Sequence, residues 1–245
     1  MYVNTTGLVL RETAYKDSSK ILTVLTAGEG KLTVNARGAL RKNSKIQAVT
    51  QLLAFSEMTL FCSRERWTLT EARSVEQFIG LRDDLSSLAL GAYFAELTEA
   101  VADTDSPHAG LLPLVLNALF ALSEKIKPPG TVKPAFELRL MSVSGFAPLL
   151  EQCCVCGKTE PKGAVLDLAG GTLMCSGCAG GSGTVRLGGG ALSAAKYILD
   201  CAPKKIFSFN ISDEALRELS SATEGYVLAH LDRQFRTLDY YKSVK

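Results

Sequence analysis

The chain has 245 residues, of which 47% are hydrophobic and 21% are charged, and its formal net charge is +2. This is ordinary globular content, and the length suffices for one large or two modest domains. The start of the chain carries no charged and apolar leader, and the longest uncharged run, residues 106–123, is interrupted by prolines and a histidine. We therefore expect neither secretion nor a membrane span, but a cytoplasmic protein.

The charges are distributed unevenly along the chain. Residues 1–80 carry 11 lysines and arginines against 7 acidic residues, whereas residues 81–245 carry 16 against 18. Residues 30–56 contain no acidic residue at all. The sequence therefore predicts that one end of the molecule is electropositive. The cations of this stretch are Lys31, Arg37, Arg41, Lys42 and Lys45.

The first 75 or so residues read as short β-strands with no helical period. The first two are apolar on both faces, as strands closed into a small barrel often are. From Lys31 to Arg37 apolar and polar residues alternate, so one face is expected to be core and the other wet and basic. This pattern predicts an oligonucleotide-binding (OB) barrel, although a small SH3-like barrel has the same composition. The predicted strands cover residues 7–11, 20–25, 31–37, 55–62 and 66–73, with a polar loop at residues 38–47.

From Asp83 onward the apolar residues recur at spacings of three and four, which is typical of helices. Asp83 and Asp84 are good helix-starting residues, and Ser106-Pro107 predicts a second helix that runs toward Lys125. Residues 128–130 break that helix, and the glycine-rich residues 180–190 are expected to form a loop. Later helices are predicted over residues 136–143, 192–199, 213–219 and 226–238.

Two Cys-x-x-Cys pairs stand between the third and fourth predicted helices. Cys153 and Cys156 are separated from Cys175 and Cys178 by eighteen residues, which matches the spacing of four-thiolate zinc sites. Two short strands, joined at residues 169–171, are expected to form a hairpin between the pairs. Four thiolates fill a tetrahedral zinc ion and leave no position for water, so the predicted Zn²⁺ is structural and not catalytic.

Other interpretations of these cysteines remain open. They include two disulfides, a site that has lost its ion, and a redox pair. Disulfides are disfavoured because the seven cysteines are an odd number, and a redox pair would require a helix where Gly157 follows Cys156. Cys154 competes as a ligand, and Cys153 and Cys156 are assigned on spacing alone.

Several stretches match, in order and over the whole length, the pattern of one known family. The most specific are Phe136–Leu140, Gly145–Pro148, and the two cysteine pairs with Gly170-Gly171 between them. On these residues the chain resembles the RecO family of bacterial recombination mediators. Further matching stretches are Gly7–Arg11, Ser18–Thr26, Gly30-Lys31, Ala36–Ala39 and Leu81–Leu85, with Tyr93, Glu96 and Leu97.

The resemblance implies an α+β multidomain protein. A five-stranded OB-type barrel, residues 1–80, would be followed by an α-helical domain, residues 81–245, with a four-cysteine zinc hairpin inserted at residues 153–178. It also implies binding of single- and double-stranded DNA, annealing of complementary strands and, with RecR, loading of RecA onto DNA coated by single-strand-binding protein. The expected location is cytoplasmic and associated with the nucleoid.

The basic strand and loop are the best candidates for DNA contact, because a barrel that follows a phosphate backbone needs cations on its exposed face. Lys16 and Lys20 extend this path, although any barrel may carry solvated surface cations. Aromatic side chains on a barrel can stack bases, but they are more often part of the core. The aromatic candidates are Phe55, Phe61 and Trp67, and the hairpin tip adds Arg64 and Arg66.

No catalytic constellation appears in the sequence, and the glycine-rich stretches lack the Lys-Ser or Lys-Thr of a phosphate loop, so we expect a protein that is not an enzyme. The resemblance implies that the helical domain holds the acidic, hydrophobic C-terminal tail of single-strand-binding protein. Arg139 is a candidate cation for that groove, and it could equally be a solvated helix residue. The alternatives from other classes are an RNA-binding barrel protein and a zinc-dependent enzyme acting on nucleic acid.

Overall fold

The computed structural model of the chain describes residues 1–104, 106–159, 161, 163–180 and 183–245. By its internal packing the chain separates into two compact units. The first comprises residues 1–125 and 235–245, and the second comprises residues 126–234. No helix among the described residues combines the length and the apolar content needed to cross a membrane.

The first unit contains a closed barrel of five strands. Its strands are β1 (Tyr2–Tyr15), β2 (Ser19–Thr26), β3 (Gly30–Ala36), β4 (Phe55–Ser63) and β5 (Arg66–Glu76). Their order is β1-β2-β3-β5-β4, with β3 and β5 parallel and the remaining pairs antiparallel, which confirms the predicted OB-type barrel. Val9, Leu22, Val34 and Leu60 are fully buried in the barrel core. The predicted alternation in β3 is also confirmed, since Leu32, Val34 and Ala36 face this core.

Among its described residues, the first unit also contains three α-helices. They are α1 (Leu85–Val101), α2 (Leu111–Ser123) and, after the second unit, the C-terminal helix Arg236–Val244. The Asp84 side chain accepts hydrogen bonds from the backbone N–H groups of Ser86 and Ser87, so the predicted helix start is confirmed as an N-cap.

The predicted start of the second helix at Ser106-Pro107 is wrong. Thr104 forms a parallel bridge with Lys31 of β3, so the chain before α2 is still engaged with the barrel. Helix α2 begins only at Leu111, where Leu111, Leu112, Leu114 and Val115 supply a buried face. The position of the buried apolar residues, and not the proline at position 107, therefore determines where α2 begins.

The second unit is helical with one small sheet. Helix α3 (Pro129–Val143) precedes strands β6 (Val165–Asp167), β7 (Thr172–Met174) and β8 (Thr184–Arg186), and helices α4 (Gly189–Asp200) and α5 (Asp213–Leu231) follow. The sheet order is β7-β6-β8, and the predicted hairpin is its β6–β7 part. The C-terminal helix of the first unit is α6.

Three boundaries in the second unit differ from the predictions. Helix α3 starts at Pro129 and not near Phe136, because proline is tolerated in the first turn, where no backbone N–H needs a partner. The glycine-rich loop contains β8, which pairs with β6, while residues 181 and 182 lie outside the described part of the chain. Residues 213–231 form one helix, because buried Ala222 and Tyr226 continue its apolar face.

Candidate nucleic-acid interface and metal-binding site

The end of β3 and the loop after it present four exposed cations. Arg37, Arg41, Lys42 and Lys45 are all exposed, and within the described part of the chain none of them makes an ion pair or a side-chain hydrogen bond. Their charges are therefore available to an anionic ligand. The sequence predicted these four residues as DNA contacts.

The loop that carries these cations, residues 38–47, is anchored to the barrel. Ala39 is fully buried in the barrel core, and Ile46 packs against the same core from the other end of the loop. The backbone N–H of Leu40 donates to the carbonyl of Ser18 at 3.0 Å, and that of Arg41 donates to Gly38 at 3.1 Å. Apolar anchors thus hold the loop in place while the basic side chains point outward.

A groove beside Arg37 adds two arginines that carried no clear signal in the sequence. It has a volume of about 660 Å³ and is lined by Arg37, which directly follows β3, and by residues of β4, β5 and the β4–β5 turn. Asn35 of β3 pairs with Thr68 of β5, so the parallel closure of the barrel brings Arg37 to the β4–β5 hairpin. We call this surface the hairpin groove. Its lining residues are Arg37, Phe61, Ser63, Arg64, Arg66, Thr68 and Thr70.

Three other predicted DNA-contact residues have different surroundings. Lys16 is exposed, and its ammonium lies 5.2 Å from the centre of the Tyr15 ring. Lys20 is 9% exposed, forms an ion pair with Glu12 and donates to the carbonyl of Thr50. The ammonium group of Lys20 is therefore already bound to partners within the first unit.

Lys31, the third of them, is engaged by helix α1. Its ammonium donates to the carbonyl of Glu99 at 2.8 Å, and its backbone N–H donates to the carbonyl of Asp103 at 3.2 Å. The Glu99 carboxylate is in turn ion-paired with Arg11 at 2.9 Å. The end of α1 therefore covers the part of the β2–β3 face that carries Lys31, and the opposite end, with Arg37, stays open.

The three aromatic residues that are candidates for base stacking lie on different faces of the barrel wall. Trp67 packs against the barrel core, together with Ala72. In β4, Met58 and Leu60 belong to the core, so the alternating residues Phe55 and Phe61 face away from it. Phe61 is half-buried and lines the hairpin groove, which makes it the aromatic candidate best placed beside free cations.

The four predicted thiol ligands meet in the second unit. The Sγ atoms of Cys153, Cys156, Cys175 and Cys178 all lie within 4.8 Å of one another, and Cys156 and Cys175 are 3.8 Å apart. Ligands about 2.3 Å from a tetrahedral zinc ion are about 3.8 Å apart, so the cluster fits zinc. Cys154 is exposed and is not part of the cluster.

Backbone hydrogen bonds shape both cysteine loops. The N–H of Gly157, whose φ is +72°, donates to the carbonyl of Cys153, and the N–H of Cys178 donates to that of Cys175. The Cys154 N–H donates to the carbonyl of Leu173 at 2.8 Å, which ties the first loop to β7. Because Cys175 directly follows β7, this strand positions both cysteine pairs.

The backbone favours the thiolate form of Cys153, whereas the side chains of Cys175 and then Cys156 raise the pKa of Cys178 to about 12. Hydrogen bonds from the backbone of Cys156 and then Cys175 lower the pKa of the Cys153 thiol to about 6. The pKa of Cys175 is lowered as well, mainly by the side chain of Cys178. The four cysteines could hold one metal ion.

Arg139, the candidate for partner binding, is engaged within the second unit. Its guanidinium donates to the backbone carbonyls of Leu199 and Cys201, at the C-terminal end of α4. A cation at this position satisfies carbonyl groups that the helix leaves without partners. The structure thus gives Arg139 a role in holding α3 to α4.

Family models and individual relatives were compared with the chain, and they agree with one another. A family model described as "Recombination protein O N terminal" matches residues 1–78, and one described as "Recombination protein O C terminal" matches residues 82–239. A protein from Symbiobacterium thermophilum is 33% identical over 247 residues, covering 99% of this chain and 97% of its own. One from Acetivibrio thermocellus is 31% identical over 244 residues, with the same coverage of both chains. Both carry the name "DNA repair protein RecO".

Proposed function

The chain belongs to the RecO family of DNA repair proteins, and we propose that it is a recombination mediator that binds DNA through its barrel and anneals complementary strands. The observation that carries this proposal is the set of exposed cations at one end of β3. Arg37, Arg41, Lys42 and Lys45 have no carboxylate partner among the described residues. Such a surface attracts a phosphate backbone and releases its counterions.

We propose both single- and double-stranded DNA as ligands. Phosphate contacts are shared by the two forms and carry little sequence information, as a mediator acting on any broken DNA requires. The proposed partners are RecR and the C-terminal tail of single-strand-binding protein, and with RecR the protein would help to load RecA onto coated DNA. The family membership supports this part of the proposal.

The proposed metal is Zn²⁺ in a structural role. A tetrahedral set of four thiolates is typical of structural zinc sites, and it leaves no open position for a substrate or a water molecule. The ion would join the two cysteine loops across β7 and so stabilise a sheet whose three strands have only three residues each. Cys153, Cys156, Cys175 and Cys178 would be the ligands.

An annealing assay tests this function. Complementary oligonucleotides, one labelled with a donor and one with an acceptor dye, are mixed with the purified chain, with and without single-strand-binding protein. We expect annealing to be accelerated in both conditions and to be lost in the variant Arg37→Gln/Arg41→Gln/Lys42→Gln. Annealing no faster than in the absence of protein would refute the proposal, and preferential binding of RNA of the same sequence would favour an RNA-binding role.

A further inference from the structure

The four cysteines of the thiol cluster differ in their exposure to solvent. Cys153 and Cys175 are buried, Cys178 is half-buried, and Cys156 is exposed. The loop around Cys156 is open as well, since residues 154–159 are all exposed. A small dissolved reagent therefore reaches the sulfur of Cys156 more readily than the other three sulfurs of the cluster.

The exposed thiol has a second thiol within reach. The Sγ atoms of Cys156 and Cys175 are 3.8 Å apart, whereas a disulfide bond requires about 2.0 Å. Both loops have room to close this gap, because a Cβ atom on Gly157 or Gly177 would meet no atom within 4 Å apart from those of its chain neighbours. Cys156 and Cys175 belong to different Cys-x-x-Cys pairs, so a bond between them would join the two loops.

Strand β7 depends on the first of these loops. The backbone N–H of Cys154 donates to the carbonyl of Leu173 at 2.8 Å, and that of Leu173 donates to the carbonyl of Leu149 at 3.1 Å. The tip of the hairpin fits closely against α5, because a Cβ atom on Gly171 would lie 2.7 Å from the Oη atom of Tyr226. Because β7 lies between the first cysteine loop and α5, a rearrangement of that loop acts on β7 first.

We propose that Cys156 is an oxidation site, at which a peroxide converts the thiol cluster into a disulfide between Cys156 and Cys175, releases the metal and loosens the β6–β7 hairpin. This inference rests on the proposed zinc ligands and goes beyond the proposed function in DNA repair. It differs from a catalytic redox pair, whose disulfide forms within one Cys-x-x-Cys motif. The cross-link between the pairs is instead a reversible modification of a structural site.

The reaction takes two steps, with hydrogen peroxide as the oxidant. The Cys156 thiolate attacks one peroxide oxygen, the O–O bond breaks and hydroxide leaves, so that a sulfenic acid forms. The Cys175 thiolate then attacks the Cys156 sulfur, the S–O bond breaks, and a second hydroxide leaves as the S–S bond forms. The two sulfurs together lose two electrons, which the peroxide gains. Only Cys153 and Cys178 remain as thiolates, and two ligands are too few for a structural zinc site.

Zinc release and disulfide mapping test this inference in the full chain. The zinc-loaded protein is treated with hydrogen peroxide, and released zinc is followed by the absorbance of its complex with pyridylazoresorcinol. We expect release of about one zinc ion per chain, and recovery of zinc binding when a thiol reductant and zinc are added. Tandem mass spectrometry should find Cys156 linked to Cys175, since trypsin cleavage at Lys158 separates the two cysteine pairs.

Two variants form a matched pair for this assay. Cys156→His removes the exposed thiol but keeps a zinc ligand, because sites with three cysteines and one histidine also hold zinc. It should keep most of its zinc over the time in which the wild type loses half, and the cross-link should be absent. Cys154→Ser removes another exposed thiol, which lies outside the cluster, so its zinc release should match that of the wild type.

Hydrogen exchange measures the loosening of the hairpin. In the oxidised chain we expect the amides of Cys154 and Leu173 to lose protection, because their hydrogen bonds depend on the first cysteine loop. The amides of Phe136 and Leu219 should keep their protection, because both residues are buried in helices that pack directly on each other, α3 and α5. Unchanged exchange at Leu173 would refute the loosening.

The outcomes separate this inference from the proposed zinc site. If the wild type holds no zinc after zinc is added, the proposed ligand set itself is refuted. If the wild type holds zinc but peroxide releases none, or releases it without the link between Cys156 and Cys175, the oxidation site is refuted. Zinc loss from Cys156→His at the wild-type rate, or slower loss from Cys154→Ser, would also overturn it. Should Cys156→His bind no zinc, the disulfide map of the wild type decides.

Discussion

The salt dependence of DNA affinity counts the cations that contact phosphates, and it distinguishes free cations from engaged ones. Each contact to a single strand contributes about 0.7 to the slope of log affinity against log salt concentration. The variant Arg37→Gln/Arg41→Gln/Lys42→Gln removes three exposed cations, so its slope should be smaller by about 2.1. Between about 50 and 200 mM salt, the variant should therefore lose about 18-fold less affinity than the wild type does.

The matched control for this variant is Lys31→Gln. Lys31 belongs to the same acid-free stretch of the sequence, but its ammonium donates to the Glu99 carbonyl at 2.8 Å. We expect the slope of this variant to equal that of the wild type. Because the three replaced side chains are exposed, their loss should change the free energy of unfolding by less than about 0.5 kcal/mol, which urea denaturation checks.

The assay is anisotropy of a labelled oligothymidylate at four or more salt concentrations. Two results would refute the reasoning. One is an unchanged slope in the triple variant, which would mean that these cations do not contact phosphates. The other is a salt-dependence slope in Lys31→Gln that is smaller than that of the wild type by about 0.7, as expected for an exposed cation. This result would mean that the hydrogen bond from Lys31 to the Glu99 carbonyl breaks when DNA binds.

Three further predictions concern stability. Elemental analysis should find one zinc ion per chain, and Cys175→Ser should melt at a lower temperature than Cys154→Ser, because only Cys175 belongs to the thiol cluster; equal melting would contradict this. Asp84→Ala should lower the free energy of unfolding by about 0.5 to 2 kcal/mol at neutral pH, measured in urea. Hydrogen bonds from Ser87 lower the pKa of Asp84 in the folded chain below its usual value of 3.8. The stability difference between the wild type and Asp84→Ala should therefore be fully present above pH 3.8 and should disappear as the pH falls through the folded-state pKa. A stability difference that stays constant with pH would contradict this prediction. Arg139→Gln should cost about 1.5 to 3 kcal/mol in the same assay, because carbonyls at the end of α4 lose a charged donor, and no loss would show that these bonds do not stabilise the unit.

The barrel and the cysteine cluster were predictable because their signals are local in the sequence. The alternation of apolar and polar residues from Lys31 to Arg37 shows directly which residues of β3 face the core, since successive side chains point to opposite faces of a strand. The two Cys-x-x-Cys pairs each form a short loop, and two three-residue strands suffice to bring the pairs together. The Asp84 cap is local as well, because it involves residues only two and three positions away.

The hairpin groove was not predictable from local patterns. Arg37 and Arg64 line one groove because β3 and β5 close the barrel as a parallel pair, and nothing near either residue in the sequence specifies that pairing. A weak signal existed in the two arginines that flank Glu65 at the hairpin tip. The positive φ values of Arg64 and Glu65, which make the turn noteworthy, cannot be read from a sequence that lacks glycine there.

The number of cations in the sequence overstates the charge that the barrel can offer to DNA. Lys20 and Lys31 both come from the predicted basic path, yet Lys20 is paired with Glu12 and Lys31 with the Glu99 carbonyl. Their partners lie 8 and 68 residues away, so only the folded chain determines which cations are engaged. Lys20 is buried and ion-paired and adds little to the field outside, and the ammonium of half-buried Lys31 donates to a helix carbonyl, whereas Arg37 and Arg41 are exposed. The DNA path that we propose therefore includes the exposed Arg37 and the hairpin groove, and it does not include Lys31.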